Sequence, residues 1–454
     1  MEKESGKGHK VLLMPSPFQG HITPLLQLGD ILYSKGFSIT IIHTSFNSPD
    51  PSTHPHFTFL PIHESLSQSE ASSMDSLRLV DLINSRIKQP LKECLAKLML
   101  SKEDTISCFI ADATLHSTQS VCDGFELPRL VLRTGGAASF AVFASIPLLR
   151  EKGYFPVQES RLEEPVVELP PLKVKDLPWF ETRDPELFYN LTSTIFDTFK
   201  ASSGVIWNTF EELESSSISN FSKEFGIPIY PIGPFHKHHF PKPSSSFSLL
   251  TPDTSCISWL DTKEHKSVVY VSFGSIASIT EAEFLELAWG LAHSNHPFLW
   301  VVRPDLVRGL EWLELLPDGF MEGLGGRGCI VKWAPQEEVL GHEAIGAFWT
   351  HCGWNSTLES ICEGVPMICM PCFGDQKVNA KYVSDVWKVG LRLEGKVERV
   401  EIERVIKRIM GGDDERKEIR ENVLNLKEKV NLCLKEGGSS YNCLNALVNY
   451  MLRL

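Results

Sequence analysis

Apolar residues along the chain occur in short uninterrupted runs that alternate with longer amphipathic stretches. The first apolar run, residues 10–14, is followed by a loop at residues 15–20 and by a helical pattern at residues 23–35. A second run at residues 37–42 completes a β–α–β unit, which predicts two parallel strands joined by a helix.

The same alternation continues through the first half of the chain. It predicts further strands at residues 107–112, 129–132 and 204–208, and further helices at residues 77–100 and 185–202. Buried strands separated by helices are typical of a doubly wound α/β domain.

Residues 231–252 interrupt this alternation with a stretch rich in Pro, Ser and His, and we interpret it as an interdomain linker. After it the α/β pattern restarts. Strands are predicted at residues 268–273, 298–302, 329–331, 347–350 and 367–370, and helices at residues 281–294, 335–340, 355–363, 380–386, 401–410, 414–435 and 440–452. The chain is therefore predicted to form two doubly wound α/β domains.

Charge and composition exclude several classes of protein. The 454 residues include 44 Lys and Arg against 57 Asp and Glu, which gives a net charge of −13. Nucleic-acid-binding proteins carry a basic surface, so we expect no nucleic-acid partner. There is no signal-peptide core, no apolar run long enough to span a membrane, and no spacing typical of a disulfide framework among the eleven cysteines. We therefore expect a cytoplasmic monomer without an integral membrane segment.

Two polar residues of the first half stand where predicted strands end. His21 closes the loop PFQGH, and Asp112 ends the strand CFIAD. Because the carboxyl ends of parallel strands meet at one edge of a sheet, we expect the two side chains to approach each other. A histidine oriented by a carboxylate acts as a general base near neutral pH. The alternative, that both residues only cap helices, stays open from the pattern alone.

The segment THCGWNSTLES in the second half is typical of an anion site. A predicted strand ends at Thr350, a turn follows, and a helix is predicted to start near Asn355. The helix dipole and the N–H groups of the first turn favour a bound phosphate. Further donors come from His351, Ser356 and a second turn at Ser275, while Glu359 can accept hydrogen bonds from a ribose. Simple helix capping explains Asn355 and Ser356 but not the whole set.

Residues 333–376 closely resemble the signature box of plant family-1 UDP-sugar-dependent glycosyltransferases. The box begins at Trp333 and ends at Gln376, and the resemblance extends from PFQGH to GGSSY near the C-terminus. The chain looks most similar to the subgroup that includes the steviol-glycoside glucosyltransferases.

This resemblance implies a GT-B fold, in which two Rossmann-like doubly wound domains face each other across a cleft. Residues 1–240 would form the acceptor-binding domain, with a linker to about residue 252. Residues 253–435 would form the UDP-sugar-binding domain. Residues 436–454 would form a C-terminal helix that packs back on the N-terminal domain.

The implied activity is the inverting, metal-independent transfer of glucose from UDP-glucose to a hydroxyl or carboxyl group. The acceptor would be a small plant specialised metabolite such as a terpenoid, flavonoid, phenolic or hormone, or its glycoside, and the product a β-glucoside. We expect UDP-glucose to be the donor substrate, because a terminal Gln, here Gln376, is typical of glucose donors, and we expect no cofactor or metal. The alternatives are a catalytically silent nucleotide-sugar-binding protein, use of another UDP-sugar, and a Rossmann oxidoreductase.

The resemblance also implies roles for individual residues. His21 matches the catalytic base and Asp112 its partner. The UDP contacts match Ser275, Trp333, Ala334, Gln336, His351, Gly353, Asn355, Ser356 and Glu359. The sugar contacts match Thr134, Trp354, Asp375 and Gln376. Candidate acceptor contacts are Thr114, Leu115, Phe373 and Gly374.

Three other motifs lie in sequence contexts that do not suit the function each motif would suggest. The Cys369-x-x-Cys372 pair follows a predicted strand instead of opening a helix, so no redox role is expected. His236, His238 and His239 lack cysteine or carboxylate neighbours in sequence and are interpreted as part of a solvated loop. The glycines of residues 323–328 precede a strand, whereas a dinucleotide fingerprint follows one.

Overall fold

The computed structural model describes residues 8–100, 105–238, 249–304, 306–307 and 316–454. Residues 239–248 of the predicted linker, His239 among them, lie outside the described residues. The chain divides into two compact units. The first unit comprises Met1–Gln158, Phe180–Leu249 and Asn431–Leu454, and the second comprises Glu159–Trp179 and Leu250–Val430.

The sheet of the first unit has seven strands within the described residues. In chain order they are β1 (His9–Met14), β2 (Ser38–Thr44), β3 (Thr58–Ile62), β4 (Thr105–Asp112), β5 (Arg129–Arg133), β6 (Gly204–Trp207) and β7 (Ile229–Pro231). They lie in the order β3-β2-β1-β4-β5-β6-β7, and every pairing is parallel.

Helices cover both faces of this sheet. They are α1 (Gln19–Ser34), α2 (Gln68–Ser72), α3 (Ser76–Leu100), α4 (Thr118–Asp123), α5 (Ala137–Ala144), α6 (Ile146–Glu151), α7 (Pro185–Lys200) and α8 (Glu211–Phe225). Successive residues of a strand point to opposite faces of its sheet. Accordingly, Val11 and Leu13 of β1 pack in one core with residues of α1, whereas Leu12 and Met14 pack in the other with residues of α3.

The sheet of the second unit has six parallel strands in the part of the chain that the structure describes. They are β8 (Val268–Ser272), β9 (Phe298–Val301), β10 (Gly328–Val331), β11 (Ile345–Thr350), β12 (Met367–Cys369) and β13 (Gly390–Arg392). Their order, β10-β9-β8-β11-β12-β13, repeats the order of the first six strands of the first unit.

The helices of the second unit follow the predicted alternation. They are α9 (Ser255–Leu260), α10 (Glu281–His293), α11 (Phe320–Gly323), α12 (Gln336–Leu340), α13 (Trp354–Glu363), α14 (Gln376–Lys381) with a π-helical turn at Tyr382–Val386, α15 (Arg399–Met410) and α16 (Asp414–Leu434). Two doubly wound, Rossmann-like α/β units confirm the predicted fold class.

The last helix, α17 (Ser439–Met451), belongs to the first unit. Leu447 and Met451 are fully buried in the same core as Val11 and Leu13. The Ser440 hydroxyl donates to the carbonyl of Gly233 at 2.7 Å, and the Tyr450 hydroxyl donates to the carbonyl of Ser203 at 2.7 Å. The C-terminal helix thus contributes to the core of the first unit.

One segment lies in a different unit from the one that the sequence prediction gave it. Residues Glu159–Trp179 were predicted as part of the first domain, but they pack in the second unit.

None of the helices in the described ranges is both long and apolar enough to cross a bilayer.

Candidate functional site

Each sheet has a topological switch point, where successive connections run to opposite sides of the first strand. It lies between β1 and β4 in the first unit and between β8 and β11 in the second. Ligands of open α/β sheets bind outside the carboxyl ends of strands at such points. The predicted catalytic residues follow β1 and end β4, and the predicted diphosphate contacts follow β8 and β11. The chain therefore has one candidate site in each unit.

His21 and Asp112 meet at the switch point of the first unit. Helix α1 begins at Gln19 and not at residue 23 as predicted, so His21 lies in the first turn of the helix instead of in the preceding loop. Its Nδ1 is 2.7 Å from Oδ2 of Asp112, the last residue of β4. The Asp112 side chain is buried, whereas that of His21 is 27% exposed. The pair thus has a buried carboxylate and an imidazole that is open to solvent.

The protonation of this pair follows from the environment of the carboxylate. Burial raises the pKa of Asp112, but the charge and hydrogen bond of His21 and two hydrogen bonds from Thr114 outweigh it, and the net pKa is lowered. An ionised carboxylate only accepts hydrogen bonds. The Nδ1 atom of His21 therefore carries the proton that it donates to Asp112, and its Nε2 atom is left as the basic nitrogen in the neutral ring.

The other predicted residues of the first unit, Thr114, Leu115 and Thr134, make different contacts. The N–H and hydroxyl of Thr114 donate to Oδ1 of Asp112 at 2.9 and 2.7 Å, so this candidate acceptor contact holds the carboxylate. Leu115 is 1% exposed and packs in the core. Thr134 follows β5, and its Oγ1 is 3.2 Å from Nδ1 of His21.

The turn between β11 and α13 is built by close contacts to one imidazole ring. The helix begins at Trp354, one residue before the predicted start, with Gly353 as its N-cap. A Cβ atom on Gly353 would lie 2.5 Å from Nε2 of His351, and one on Gly274 would lie 2.6 Å from the same ring. The His351 ring thus lies against two backbone segments at which an added Cβ atom would displace it. Cys352, which lies between His351 and Gly353 in the sequence, has a left-handed φ of 64°, which is uncommon for a residue with a side chain.

The electrostatics of this turn keep His351 neutral near neutral pH. Burial and the nearby positive charge of Arg303 lower the pKa of His351 to about 4, against a smaller raising effect of a backbone hydrogen bond with Ser272. The guanidinium of Arg303 donates through Nε to the carbonyl of Gly274 at 2.9 Å, and through its other nitrogens to the carbonyls of Pro304 and Ala277. Arg303 therefore fixes the loop after β8 that carries Ser275.

Gln336 joins two other residues of the predicted nucleotide site, Ser356 and Glu359, to Tyr270 of β8. Its Nε2 donates to Oγ of Ser356 at 2.9 Å and to Oε2 of Glu359 at 2.6 Å, and its Oε1 accepts from the hydroxyl of Tyr270 at 3.1 Å. The network places α12 against the first two turns of α13. Trp333 and Ala334 precede α12, with Trp333 half-buried and Ala334 buried.

Two of the predicted sugar contacts, Asp375 and Gln376, lie where the loop after β12 meets α14. The Oε1 atom of Gln376 accepts from the backbone N–H groups of Cys372 and Phe373 at 2.9 and 3.1 Å. Asp375 accepts from Nδ2 of Asn379 at 3.2 Å, and the same amide donates to the carbonyl of Cys352 at 3.0 Å. Asn379 therefore joins this loop to the turn of His351. Trp354, the first residue of α13, is buried, with 4% of its surface exposed.

Sequence reasoning missed two residues that shape the sites, Arg303 and Asn379, and it named Thr114 only as a candidate acceptor contact. Asn379 stands four residues after Asp375, a helical spacing that pairs two side chains. Arg303 has no such local signal, because its partners are backbone carbonyls, and two of the three, those of Gly274 and Ala277, are distant in sequence. Among the described residues, no three His, Cys, Asp or Glu side chains are grouped in a way that could hold a metal ion.

Comparison with known proteins identifies the family. Residues 253–429 match the family model described as UDP-glucoronosyl and UDP-glucosyl transferase. UDP-glycosyltransferase 76B1 of Arabidopsis thaliana is 51% identical over 442 residues, which cover 97% of this chain and 98% of that protein. UDP-glycosyltransferase 76G1 of Stevia rebaudiana is 47% identical over 452 residues, which cover 97% of this chain and 96% of that protein.

Solved structures of similar proteins indicate the same family. UGT2 of Phytolacca americana, complexed with UDP-2fluoro-glucose and pterostilbene, matches with a TM-score of 0.81 and 28% identity over 97% of this chain and 99% of that one. These matches confirm the resemblance found in the sequence and exclude the oxidoreductase alternative. The chain belongs to the plant family-1 UDP-glycosyltransferases and is a glycosyltransferase enzyme.

Proposed function

We propose that this enzyme transfers glucose from UDP-glucose to a hydroxyl or carboxyl group of a small, largely apolar plant metabolite, with inversion at the anomeric carbon. The observation that carries the proposal is the 2.7 Å hydrogen bond between Nδ1 of His21 and Oδ2 of Asp112. Terpenoids, flavonoids, other phenolics and hormones, or their glycosides, are the acceptor classes.

The acceptor hydroxyl is the nucleophile, and His21 takes its proton. Nε2 of His21 accepts the proton while the acceptor oxygen forms a bond to the anomeric carbon. The bond from that carbon to the diphosphate oxygen breaks, and UDP leaves from the opposite face, so an α-linked donor gives a β-glucoside. The negative charge of Asp112 stabilises the imidazolium that results, as in a hydrolase triad. For a carboxyl acceptor, which is already ionised near neutral pH, the same pair would only position the nucleophile.

The leaving diphosphate is stabilised by the turn between β11 and α13. Helix α13 has ten residues, and the positive end of its dipole lies at Trp354, next to the ring of His351. Asn355, Ser356 and the N–H groups of this turn are the proposed donors to the phosphate oxygens, with Ser275 assisting. We propose that these groups supply the charge stabilisation without a divalent cation.

The remaining donor contacts are assigned by residue chemistry. Trp333 is proposed to stack on the uracil, and Glu359 to accept from the ribose hydroxyls. Oε1 of Gln376 already accepts two backbone N–H groups, so its amide NH₂ is the group proposed to donate to the sugar. Asp375 is proposed to accept from a sugar hydroxyl. The UDP-2fluoro-glucose in the structure of Phytolacca americana UGT2 supports a glucose donor.

The proposal is tested by incubating the enzyme with UDP-glucose and a panel of terpenoid, flavonoid and phenolic acceptors in the presence of a chelator. We expect UDP release that depends on the acceptor, a product heavier by one hexose, and a β-configured anomeric proton by NMR. UDP-galactose and UDP-xylose serve as competing donors. An α-configured product, a requirement for added metal, or a preference for another donor would each contradict the corresponding part of the proposal.

A further inference from the structure

Residues Glu159–Trp179, here called the strap, carry a buried ion pair to the second sheet. Asp176 is fully buried, and its Oδ1 accepts from Nη1 of Arg392 at 2.5 Å. Its Oδ2 accepts from the backbone N–H of Lys173 at 2.9 Å, within a 3₁₀ turn of the strap. Both carboxylate oxygens are therefore occupied, which fixes the end of the strap to one point of the second unit.

That point lies at the base of the sugar loop, defined as residues 370–376. Arg392 is the last residue of β13 and is paired in register with Cys369, the last residue of β12. The sugar loop starts at the next residue, Met370, whose N–H donates to the carbonyl of Thr350 at 2.9 Å. The ion pair thus anchors the strap beside the strand from which the sugar loop emerges.

The strap also reaches the tip of the sugar loop. The backbone N–H of Gly374 donates to the carbonyl of Trp179 at 2.8 Å. Gly374 has a left-handed φ of 59°, and this conformation directs the tip of the loop. Asp375 and Gln376, the proposed sugar contacts, are the next two residues. The strap therefore touches the loop one residue before the first proposed sugar contact.

Trp179 also makes a side-chain contact with Lys377, the residue that follows Asp375 and Gln376. Nζ of Lys377 lies 5.8 Å from the centroid of the Trp179 ring, within the range of a cation–π interaction. The Trp179 indole is nevertheless 47% exposed, which is high for an aromatic side chain of this size. Trp179 thus contacts the chain just before and just after Asp375 and Gln376, and it still presents a face to solvent.

We propose that the strap is a positioning element for the donor sugar, with Trp179 and Asp176 holding the sugar loop at the position in which Asp375 and Gln376 meet the hexose. The inference rests on the proposed function, because it assumes that these two residues contact the sugar. Trp179 and Asp176 are positioning residues and not catalytic ones.

The proposal separates recognition of the sugar from recognition of the nucleotide. The proposed UDP contacts are held by the network of Gln336 and by the turn of His351. Asn379 and the N–H of Met370 join the base of the sugar loop to this turn, whereas the strap holds the tip of the loop at Gly374. A displaced sugar loop should weaken the binding of UDP-glucose and leave that of UDP alone. A merely structural strap would weaken both to the same extent.

The test measures the dissociation constants of UDP and of UDP-glucose by titration calorimetry, without acceptor, for four variants of the full chain. Trp179→Ala removes the ring, Trp179→Phe keeps an aromatic face, and Asp176→Asn removes the charge that holds Arg392. Glu163→Gln is the matched control, because Glu163 pairs with Lys173 and Lys175 on the exposed side of the strap. Thermal melting monitors the fold of each variant.

We expect Trp179→Ala and Asp176→Asn to weaken UDP-glucose binding by about 5- to 10-fold, the size of one lost positioning contact, with UDP binding unchanged. In these two variants the preference for UDP-glucose over UDP-galactose should also decrease. Trp179→Phe should retain most of the wild-type affinity for UDP-glucose, and Glu163→Gln should behave as the wild type. Equal losses for UDP and UDP-glucose, or no loss in Trp179→Ala, would overturn the proposal. Because no acceptor is present, this result is independent of whether the wild-type enzyme transfers glucose.

Discussion

At the scale of the residue, the sequence predicted that His21 and Asp112 lie together, but not the contacts that Thr114 makes. His21 and Asp112 were predicted to approach each other because both stand at the carboxyl ends of parallel strands, and the structure brings them within hydrogen-bond distance. Thr114 was expected to face the acceptor, yet its hydroxyl and N–H both bind Asp112. A hydroxyl two residues after a carboxylate fits either arrangement, and only the local backbone decides between them.

The histidines of the two units lead to a prediction about pH. Burial, with the positive charges of Lys88 and Arg129, lowers the pKa of His116 to about 4, against a smaller raising effect of Asp81. Its Nε2 atom is buried and has no hydrogen-bond partner among the described residues. In the unfolded chain a histidine takes up its proton near pH 6.5. Between about pH 6.5 and 4 the unfolded state thus binds more protons, and the folded state loses stability as the pH falls.

We therefore expect His116→Gln to reduce the fall in melting temperature between pH 7 and pH 5. His351, whose pKa is also lowered to about 4, contributes to the same fall and remains in the variant, so the slope should shrink without vanishing. His63→Gln is the matched control, since the His63 side chain is exposed. An unchanged slope in His116→Gln, measured by circular dichroism, would show that His116 is protonated equally in both states.

At the scale of the element, strands that form an apolar run in the sequence were predicted, and strands that do not were missed. Five strands of the first unit appear where apolar runs predicted them, but the edge strands β3 and β7 were missed. Each contains a proline, which removes a donor from the ladder and disguises the strand in the sequence. Strand β13, with the sequence Gly-Leu-Arg, was missed because it contains no apolar run, whereas β12 is equally short but lies in the apolar run 367–370.

The strap was not predictable for a different reason. Its residues follow α6 of the first unit and carry no composition that separates them from a loop. The partner of Asp176 is Arg392, 216 residues further along the chain. A contact of this kind leaves no trace in local periodicity, so the segment was assigned to the unit that surrounds it in sequence.

The turn between β11 and α13 supports a prediction about UDP binding. Gly353 has an ordinary φ of −60°, so Ala fits its backbone, but the added Cβ would lie 2.5 Å from Nε2 of His351. The ring must move, and the proposed diphosphate donors move with it. We expect Gly353→Ala to weaken UDP binding by at least about 10-fold, or 1.4 kcal/mol.

Gly412→Ala is the control for that substitution, because nothing lies within 4 Å of the Cβ that it adds. Both variants should melt within a few degrees of the wild type. If calorimetry gave Gly353→Ala the wild-type affinity for UDP, the packing of His351 against this turn would be irrelevant to nucleotide binding.

At the scale of the whole molecule, the two units share one strand order, and the C-terminal helix belongs to the first unit. The last helix, α17, contributes Leu447 to the core beneath β1. Replacing a fully buried leucine with alanine removes apolar contacts and leaves a cavity, which costs about 2–5 kcal/mol. We expect Leu447→Ala to lower the free energy of unfolding of the first unit by this amount.

Leu432→Ala is the matched control, because Leu432 is 52% exposed. Substitutions at such exposed positions usually change stability by less than about 0.5 kcal/mol. The comparison is made by urea denaturation, followed by circular dichroism. Equal effects of the two substitutions would mean that α17 is not part of the core of the first unit.

The central claim is that the base lies in the first unit and the nucleotide site in the second, so that chemistry and nucleotide binding are separable. The most direct test compares the transfer rate and the UDP affinity of His21→Ala with those of the wild type, with His63→Ala as the control. We predict a loss of transfer of at least about 10²-fold with an unchanged dissociation constant for UDP. A His21→Ala enzyme that transfers glucose to a hydroxyl acceptor at the wild-type rate would contradict the account.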